Sequence, residues 1–436
     1  MTRRVGYALL AGLAAVVVLI SAAIFVGFGG SRGPLGNALH EPRPSAAPAA
    51  SGQWVGTWSA AVASAEPGTQ DGYAGMSIRN VVHSSIGGSS ARIRLSNLYG
   101  TRPLALSHAS LALSAGSGSP IAMAGSMRRV TFGGKPSVTI PAGGEILSDP
   151  VRLTVPGNAD LLVTTYSPTP SGPTTYHPYA RQTSYLARGD RTEDATGTAY
   201  TEQSPYWRYL TGVDVWSTQV HGAVVAIGDS ITDGITSTPG ANHRWTDFLA
   251  ARLRDEEGAP RYGVLNAGIS GNRLLTDSNP LFPTNGPSML SRLDRDALSR
   301  AGVKAVVVEI GVNDLLKSPR QMDAQKIVAG MRDVVERAHT RGLRVTGSTV
   351  MPFGGHRGYS RRLNEVREQV NRMIRSGTVY DEVVDFDQAL RDPAHPQRLL
   401  PAYDSGDHLH PSDAGYRAMA DAVNVDHLRQ AAPAAL

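Results

Sequence analysis

The stretch that decides the fold is VVAIGDSITDG, residues Val224 to Gly234. The apolar run 223–227 shows no alternation, which is typical of a strand buried on both faces of a parallel sheet. The run stops at Gly228, and polar residues follow at once. Polar side chains in that place lie at the carboxyl end of a strand, where open α/β sheets bind their ligands. The stretch therefore predicts a buried strand that leads straight into a functional site.

The chain from residue 221 to 436 alternates strand-like apolar runs with helical patterns. The predicted strands are 223–227, 263–267, 304–310, 344–350 and 383–386, and the predicted helices are 244–255, 287–300, 322–341, 360–375 and 412–422. This alternation predicts a doubly wound parallel sheet with helices on both faces, which is a three-layer α/β/α domain.

Residues 54–220 have a different pattern, with short strand candidates and no helical period. The candidates are 91–100, 137–145, 151–157 and 160–167, and Gly, Pro and Asn turns separate them. Short strands at this spacing predict an all-β antiparallel sandwich, which we treat as an accessory domain. Its aromatic side chains could stack on a sugar ring or could serve core packing; they are Trp54, Trp58, Tyr176, Tyr179 and Tyr185.

The N-terminal region predicts export from the cytoplasm. Arg3 and Arg4 precede an uncharged, mostly apolar run over 5–28. The run is long enough to cross a bilayer and longer than the apolar part of most cleaved signals. We therefore expect an N-terminal membrane anchor, with a cleaved signal sequence as the alternative, followed by a flexible linker over 29–53. The remainder is then extracellular, either at the cell surface or secreted.

Composition excludes several classes of function. The length of 436 residues is sufficient for two domains. The chain has no cysteine. Disulfides, thiolate metal sites and a cysteine nucleophile are therefore excluded. The formal charge of +5 is small, and no basic block is interleaved with aromatic residues. Nucleic acid is therefore not an expected partner, and the membrane is expected to be contacted only by the N-terminal segment.

Four polar clusters follow predicted strands of the α/β part. They are Gly228-Asp229-Ser230, NAGISGNR (266–273), GVND (311–314) and DHLHP (407–411). Because the carboxyl ends of parallel strands share one edge of the sheet, we expect the clusters to converge. One cluster alone would be an ordinary turn, but four at one edge predict a site.

The residue types in these clusters indicate nucleophilic catalysis. A serine hydroxyl needs an adjacent base, and histidine is the side chain suited to that task near neutral pH. We assign Ser230 as nucleophile, His410 as base and Asp407 as the carboxylate that orients the imidazole. His408 is expected to face away, as a surface or supporting residue. The motif Asp-x-x-His alone could be half a metal site, but no second cluster has ligand spacing, so no metal is expected.

A tetrahedral intermediate also needs hydrogen-bond donors for its oxyanion. The candidates are the backbone N–H of Ser230, a backbone N–H in the glycine-rich turn 268–271, and the side-chain amide of Asn313. Asp229 is expected to hold the nucleophile turn, with direct proton transfer as the alternative. Arg273 is expected to form a surface ion pair, although it could meet an anionic group of a substrate.

Gly228-Asp229-Ser230, Gly271 in NAGISGN, Asn313 in GVND and Asp407-x-x-His410 resemble the four blocks of the SGNH/GDSL hydrolase family. The resemblance covers about half the chain. It implies a three-layer, flavodoxin-like fold and esterase or lipase chemistry without a metal or cofactor. It also implies that Ser230, Gly271 and Asn313 form the oxyanion hole. Gly271 is favoured over Gly268 because Ser270-Gly271 follows NAGI.

The motif WVGTW near the start of the β-rich part is similar to secreted actinobacterial members of that family. The sequence thus predicts an extracytoplasmic serine esterase that acts on an acylated carbohydrate, a lipid or a small-molecule ester. Two alternatives stay open, an acyltransferase with the same triad and a surface carbohydrate-binding protein with a vestigial hydrolase domain. The sequence does not indicate the acyl chain length or the oligomeric state.

Overall fold

The structure is a computed structural model that describes residues 51–429. The predicted anchor at 1–28, nearly all of the predicted linker and residues 430–436 lie outside the described residues. Within 51–429, no helix has the length and apolar character needed to span a membrane. Below, 53–217 is called the β region and 222–429 the α/β region; the predicted domain boundary at 220/221 stays a prediction.

The β region contains fifteen short strands. They are β1 (Gln53–Ser59), β2 (Ser64–Ala65), β3 (Met76–His83), β4 (Ser90–Ser96), β5 (Leu104–Leu106), β6 (His108–Leu113), β7 (Arg128–Val130), β8 (Val138–Ile140), β9 (Glu145–Leu147), β10 (Asp160–Ser167), β11 (Thr175–His177), β12 (Ser184–Arg188), β13 (Glu202–Ser204), β14 (Trp207–Arg208) and β15 (Leu210–Ser217). The two larger sheets have the orders β1-β15-β4-β9 and β13-β12-β3-β10-β6-β7, and the two smaller sheets are β14-β11-β2 and β5-β8. Every pairing within the region is antiparallel.

The two larger sheets of the β region share one hydrophobic core. In β4, Ile93 and Leu95 point inward while Arg92 and Arg94 are partly exposed, as the alternation of the sequence predicts. These residues pack in one cluster with apolar residues of β3, β6, β10 and β15. The predicted antiparallel sandwich is confirmed.

One predicted strand of the β region is wrong. Residues 151–157 form only isolated bridges, Ala91 with Val151 and Gly88 with Val155. Val151 and Val155 are nevertheless buried. The alternation of apolar and polar residues thus indicates which side chains are buried, not a strand with continuous backbone pairing. Pro156 has no N–H to donate to a ladder, which limits continuous pairing here.

The α/β region is built on a five-stranded parallel sheet. Its strands are β16 (Gly222–Gly228), β17 (Tyr262–Gly268), β18 (Val303–Glu309), β19 (Arg344–Ser348) and β20 (Glu382–Val384), in the order β17-β16-β18-β19-β20. Its α-helices are Ser230–Asp233, Trp245–Asp255, Met289–Leu293, Val312–Leu316, Ala324–His339, Arg361–Arg375, Phe386–Leu390 and Asp413–Ala422, with a π-helical turn at Asp294–Leu298 and 3-10 turns at Pro283–Asn285 and Val425–Leu428.

The strand order shows why the polar clusters meet. β16 is buried along its whole length and pairs with β17 on one side and β18 on the other. The connection after β16 leads to β17 on one side of β16, and the connection after β17 leads to β18 on the other side. The strand order therefore reverses at β16, which makes the carboxyl ends of β16 and β18 the switch point of a flavodoxin-like sheet. The predicted three-layer α/β fold is confirmed. The predicted helix 287–300 is divided into an α-helix and a π-helical turn, and Phe386 begins a helix rather than ending β20.

The β region packs on the edge strand of the α/β sheet through β1. Ser59 Oγ donates to the Asn266 carbonyl oxygen at 2.9 Å, and Gly56 N donates to the Ala301 carbonyl oxygen at 3.0 Å. A Cβ on Gly263 of β17 would lie 2.3 Å from the Gly56 carbonyl oxygen. Only glycine therefore permits this close approach of the two backbones.

We predict that Gly263→Ala destabilises the whole protein, because the added methyl group meets rigid backbone and forces β1 away from β17. Overpacking of this kind costs about 1–3 kcal/mol of unfolding free energy. Thermal and urea unfolding of the variant measure the loss. Gly116→Ala is the matched control, because the nearest heavy atom to its added Cβ would be 4.0 Å away. Equal stability of the two variants would contradict the prediction.

Candidate active site

Ser230 begins the short helix Ser230–Asp233, directly after β16. Gly228 makes this tight turn possible. A Cβ on Gly228 would lie 2.2 Å from Thr232 Oγ1 and 2.5 Å from the Glu309 carbonyl oxygen. The glycine of the GDS sequence is therefore required by the close approach of the nucleophile helix and β18, and Ser230 is presented at the sheet edge.

The structure brings Ser230, His410 and Asp407 together in one hydrogen-bonded row. Ser230 Oγ lies 2.8 Å from His410 Nε2, and His410 Nδ1 lies 2.6 Å from Asp407 Oδ2. The second oxygen of Asp407 accepts the backbone N–H groups of Leu409 at 2.9 Å and His410 at 2.8 Å. The short segment between Asp407 and His410 is thus held by the same carboxylate that contacts the imidazole.

The charge of Asp407 sets the orientation of the His410 ring. Burial raises the pKa of the Asp407 carboxyl, but hydrogen bonds from the ring and backbone of His410 and from Leu409 N outweigh it and hold the pKa well below its usual range. Asp407 is therefore ionised at neutral pH. Its charge favours the tautomer of His410 that carries the proton on Nδ1, so that Nε2 faces the Ser230 hydroxyl as an acceptor.

The predicted oxyanion donors line the same cleft as this row. The cleft has a volume of about 530 Å³, and its lining includes Ser230, Gly271, Asn313 and His410. Gly271 has a φ of +78°, and a Cβ there would lie 2.2 Å from Asn285 Oδ1. Glycine at this position thus allows both the left-handed backbone and the close approach of Asn285.

Gly268, the alternative in the same turn, has another task. A Cβ on Gly268 would lie 2.2 Å from the backbone N of Asp233. Gly268 therefore lets the end of β17 approach the nucleophile helix, and it is absent from the lining of the cleft. The geometry favours Gly271 as the residue that faces a substrate.

Asp229 connects the nucleophile turn to Asn313. It is fully buried, and its Oδ1 accepts the Ile231 N–H at 3.0 Å while its Oδ2 accepts Asn313 Nδ2 at 3.0 Å. Burial raises its pKa to about 6, although the hydrogen bonds from Ile231 and Asn313 oppose the rise. Glu309, which accepts Thr232 Oγ1 at 2.9 Å, has a pKa raised well above its usual range by burial and by the charge of Asp229. Two buried carboxyl groups therefore lie beneath the nucleophile helix.

Residues 226–418 match the GDSL-like Lipase/Acylhydrolase family. The α/β region contains a GDSL-like hydrolase domain. The predicted family resemblance is confirmed for this part of the chain. The resemblance of the β region to secreted actinobacterial proteins stays a prediction.

The GDSL-like domain is also similar to solved structures. They include a protein of the G-D-S-L family from Desulfitobacterium hafniense DCB-2 (21% identity, 46% of this chain and 97% of that chain, TM-score 0.35), a carbohydrate acetylesterase from Sinorhizobium meliloti (18%, 48% and 98%, 0.38) and an acetylxylan esterase from Geobacillus stearothermophilus (19%, 47% and 92%, 0.36). No curated protein matches the chain.

A buried pair reaches the GDSL-like domain from the β region. His177, at the end of β11, places Nε2 at 3.0 Å from Asp233 Oδ1 and Nδ1 at 2.8 Å from the Ala61 carbonyl oxygen. The other oxygen of Asp233 accepts Ser270 N at 2.9 Å and Ser270 Oγ at 2.5 Å. Because Ser270 precedes Gly271, this chain of hydrogen bonds supports the oxyanion turn from outside the GDSL-like domain.

The charge state of His177 is set by its acidic neighbour. Burial lowers the pKa of His177, but the charge and hydrogen bond of Asp233 outweigh burial and raise it. Sequence reasoning missed His177, since β11 carries no motif and its partner is 56 residues away. Its partner Asp233 is the second aspartate of the stretch GDSITDG.

The expectation for His408 is met, and the expectation for Arg273 is wrong. His408 faces away, with its side chain half exposed and its Nδ1 2.6 Å from Asp404 Oδ2. Asp314 accepts the backbone N–H groups of Leu274 and Leu275 and thereby supports the segment after the oxyanion turn. Arg273 is buried and donates only to backbone carbonyl groups, so the predicted surface ion pair is wrong.

The aromatic residues of the β region divide between packing and the cleft. Trp58, Tyr176 and Tyr185 are buried, which supports the packing interpretation for them. Trp54 packs edge-on against Trp216. Tyr179 is 41% exposed and lines the cleft that contains Ser230. The β region therefore contributes a side chain to the active-site wall.

We predict that the stability of Asp229→Asn relative to the wild type is greater at neutral pH than at low pH. The folded pKa of about 6 lies above the unfolded value of about 3.9, so the favourable contribution of Asp229 is fully present below about pH 4 and is lost as the pH rises through about 6. Asparagine does not titrate. The stability difference should therefore grow by roughly 2–3 kcal/mol between about pH 4 and pH 7.5.

Urea unfolding of both proteins across this pH range measures that difference. Asp255→Asn is the control, because Asp255 is exposed at the end of the helix Trp245–Asp255. A difference between Asp229→Asn and wild type that does not change with pH would contradict the assignment.

We predict that His177→Leu lowers kcat by about 10- to 100-fold, because Asp233 loses a partner and Ser270-Gly271 is no longer held in place. His177→Gln should recover much of the rate, since its amide can still donate to Asp233. Both kcat values are to be measured well below the unfolding temperature of each variant. Equal losses in the two variants at equal stability would show that His177 does not position the oxyanion turn.

Proposed function

We propose that the protein is an extracytoplasmic serine esterase that hydrolyses carboxylic esters through an acyl-enzyme intermediate. The observation that carries the proposal is the contact of Ser230 Oγ with His410 Nε2 at 2.8 Å, with Asp407 on the far side of the ring. A serine so placed has the base that it needs to act as a nucleophile, and the base has the carboxylate that orients it.

Acylation begins when Ser230 Oγ attacks the ester carbonyl carbon while His410 Nε2 accepts the hydroxyl proton. The resulting imidazolium is stabilised by the ionised Asp407. The oxyanion is bound by the backbone N–H groups of Ser230 and Gly271 and by Asn313 Nδ2. Each donor of this type contributes roughly 3–4 kcal/mol of transition-state stabilisation. The intermediate collapses as His410 protonates the leaving alcohol.

Deacylation uses the same groups in reverse. Water enters the cleft and loses a proton to His410 Nε2 as its oxygen attacks the acyl carbon. As the second tetrahedral intermediate collapses, His410 Nε2 returns this proton to Ser230 Oγ, and the carboxylic acid is released. The open cleft of about 530 Å³ gives water access to the acyl-enzyme, which supports hydrolysis rather than acyl transfer.

The proposed substrates are esters of an acylated carbohydrate, a lipid or a small molecule. The exposed ring of Tyr179 in the cleft wall supports a substrate with a face that stacks on an aromatic side chain. The proposed location outside the cytoplasm rests on Arg3, Arg4 and the apolar run 5–28. A reporter that is active only outside the cytoplasm, fused after residue 53, tests the location.

We predict that Ser230→Ala and His410→Ala each lower kcat on 4-nitrophenyl acetate by roughly 10⁶-fold, while Asp407→Asn lowers it by about 10⁴-fold or less. The smaller loss is expected because the Asp407 side chain is 43% exposed, so water can solvate the ring in its place. Initial rates with the acetate, butyrate and palmitate esters measure both the losses and the preferred acyl length.

His408→Ala is the matched control for His410→Ala, since it removes a histidine two residues away that faces solvent. Wild-type turnover by His410→Ala would overturn the assignment of the base. Product analysis with an added alcohol acceptor distinguishes the alternative, because an acyltransferase would form a new ester in preference to the free acid.

A further inference from the structure

The charges that line the active-site cleft are of one sign. Among the described residues that form its wall, Lys317 and Arg357 carry cationic side chains, and none is an aspartate or a glutamate. The Asp407 carboxylate lies behind the His410 ring, outside this lining. A low-dielectric cleft with charge of a single sign concentrates ligands of the opposite sign.

Lys317 is placed against the oxyanion turn. It follows the helix Val312–Leu316, and its backbone N donates to the Asn313 carbonyl oxygen at 3.0 Å. Its Nζ donates to Asn285 Oδ1 at 2.9 Å. A Cβ on Gly271 would lie only 2.1 Å from Lys317 Nζ, so the ammonium group lies directly beside the glycine that faces the substrate.

This ammonium group has no acidic partner within residues 51–429. Its side chain makes one hydrogen bond within these residues, to a neutral amide, so two of its three N–H donors have no protein partner there. Burial lowers the pKa of Lys317, while the charge of Asp229 opposes that change. Asp229 is buried behind Asn313 and is committed to hydrogen bonds there. A partly buried cation without a counter-ion is unfavourable, and an anionic ligand would offset that cost.

Arg357 stands at the outer wall of the same cleft. It is exposed, lies on the loop between β19 and the helix Arg361–Arg375, and makes no hydrogen bond or ion pair with the described residues. A guanidinium group in this position attracts an anion from solvent and binds carboxylate or phosphate with two parallel hydrogen bonds. The two cations thus lie at different depths of one cleft.

We propose that the natural substrate is an ester that itself carries a negatively charged group, and that Lys317 pairs with that group while Arg357 attracts it to the cleft. The inference rests on the proposed esterase activity. It names the substrate class through its charge, and the charge can reside on the acyl part or on the alcohol part of the ester.

Two pairs of esters, each matched in size, test the proposal with the full-length protein. On the alcohol side, 4-acetoxybenzoate is compared with the neutral 4-acetoxybenzamide. On the acyl side, the 4-nitrophenyl monoester of adipic acid is compared with 4-nitrophenyl hexanoate. In at least one pair, kcat/KM for the anion should exceed that for the neutral ester by about tenfold at low ionic strength. The ratio should fall as salt shortens the Debye length from about 30 Å to about 5 Å.

Substitutions of lysine residues test whether Lys317 causes the preference for anionic esters. Lys317→Gln should remove most of the anionic-to-neutral ratio in the preferred pair. Lys326→Gln is the matched control, because it deletes the same charge from an exposed position on the helix Ala324–His339 and should keep the ratio. Arg357→Gln should reduce the salt dependence of kcat/KM for the anion.

The outcomes separate this inference from the proposed function. Serine-dependent hydrolysis of the neutral esters without an advantage for either anion would overturn the inference and leave the esterase in place. An anion advantage that survives Lys317→Gln would also overturn it. Absence of Ser230-dependent hydrolysis of all four esters would instead overturn the proposed function.

Discussion

The burial of two carboxyl groups beneath Ser230 is the constraint on which the geometry of the site depends. Asp229 and Glu309 are removed from water at the carboxyl ends of the two central strands. A buried acid is costly unless nearby donors satisfy it, so Ile231 N, Asn313 Nδ2 and Thr232 Oγ1 are all committed to these two groups. The same hydrogen bonds orient the helix that begins at Ser230 and the side-chain amide of Asn313. The positions of Ser230 and Asn313 are therefore both set by the need to give these two buried carboxyl groups hydrogen-bond donors.

The fold was predictable where the sequence pattern has a single physical cause. Strands such as β16 and β18 are buried on both faces, so their residues must be apolar, and the prediction of a parallel sheet is confirmed. Prediction failed where the same pattern has two causes. Residues 151–157 alternate because alternate side chains are buried, although the backbone forms only isolated bridges. The segment 287–300 has a helical pattern, but an α-helix ends at Leu293 and a π-helical turn follows.

The site was predictable to the extent that its residues are local. Ser230 and Asn313 each follow a strand end within a few residues, so the sheet rule places them together. The Asp407-His410 pair lies beyond the helix Phe386–Leu390, shortly before the helix Asp413–Ala422, and was found from its Asp-x-x-His spacing. His177 and Lys317 have no such signal. His177 reaches Asp233 because β1 packs on β17 and carries the β region with it. Lys317 and Gly271 lie side by side because the segments that contain them both contact Asn285. Contacts between segments that are distant in sequence produce no periodic pattern of residues from which they could be predicted.

The family match covers 226–418, yet the cleft is not made from those residues alone. Tyr179 of the β region forms part of its wall, and His177 supports the turn that contains Gly271. The proposed reaction type rests on the arrangement of Ser230, His410 and Asp407, all of which lie within the match. The proposed selectivity rests on what surrounds these residues, namely the ring of Tyr179 and the ammonium group of Lys317, which has no acidic partner within residues 51–429. Of these two features, charge has the longer reach, because an ammonium group with no acidic partner among the described residues attracts an anion over a distance at which shape complementarity has no effect.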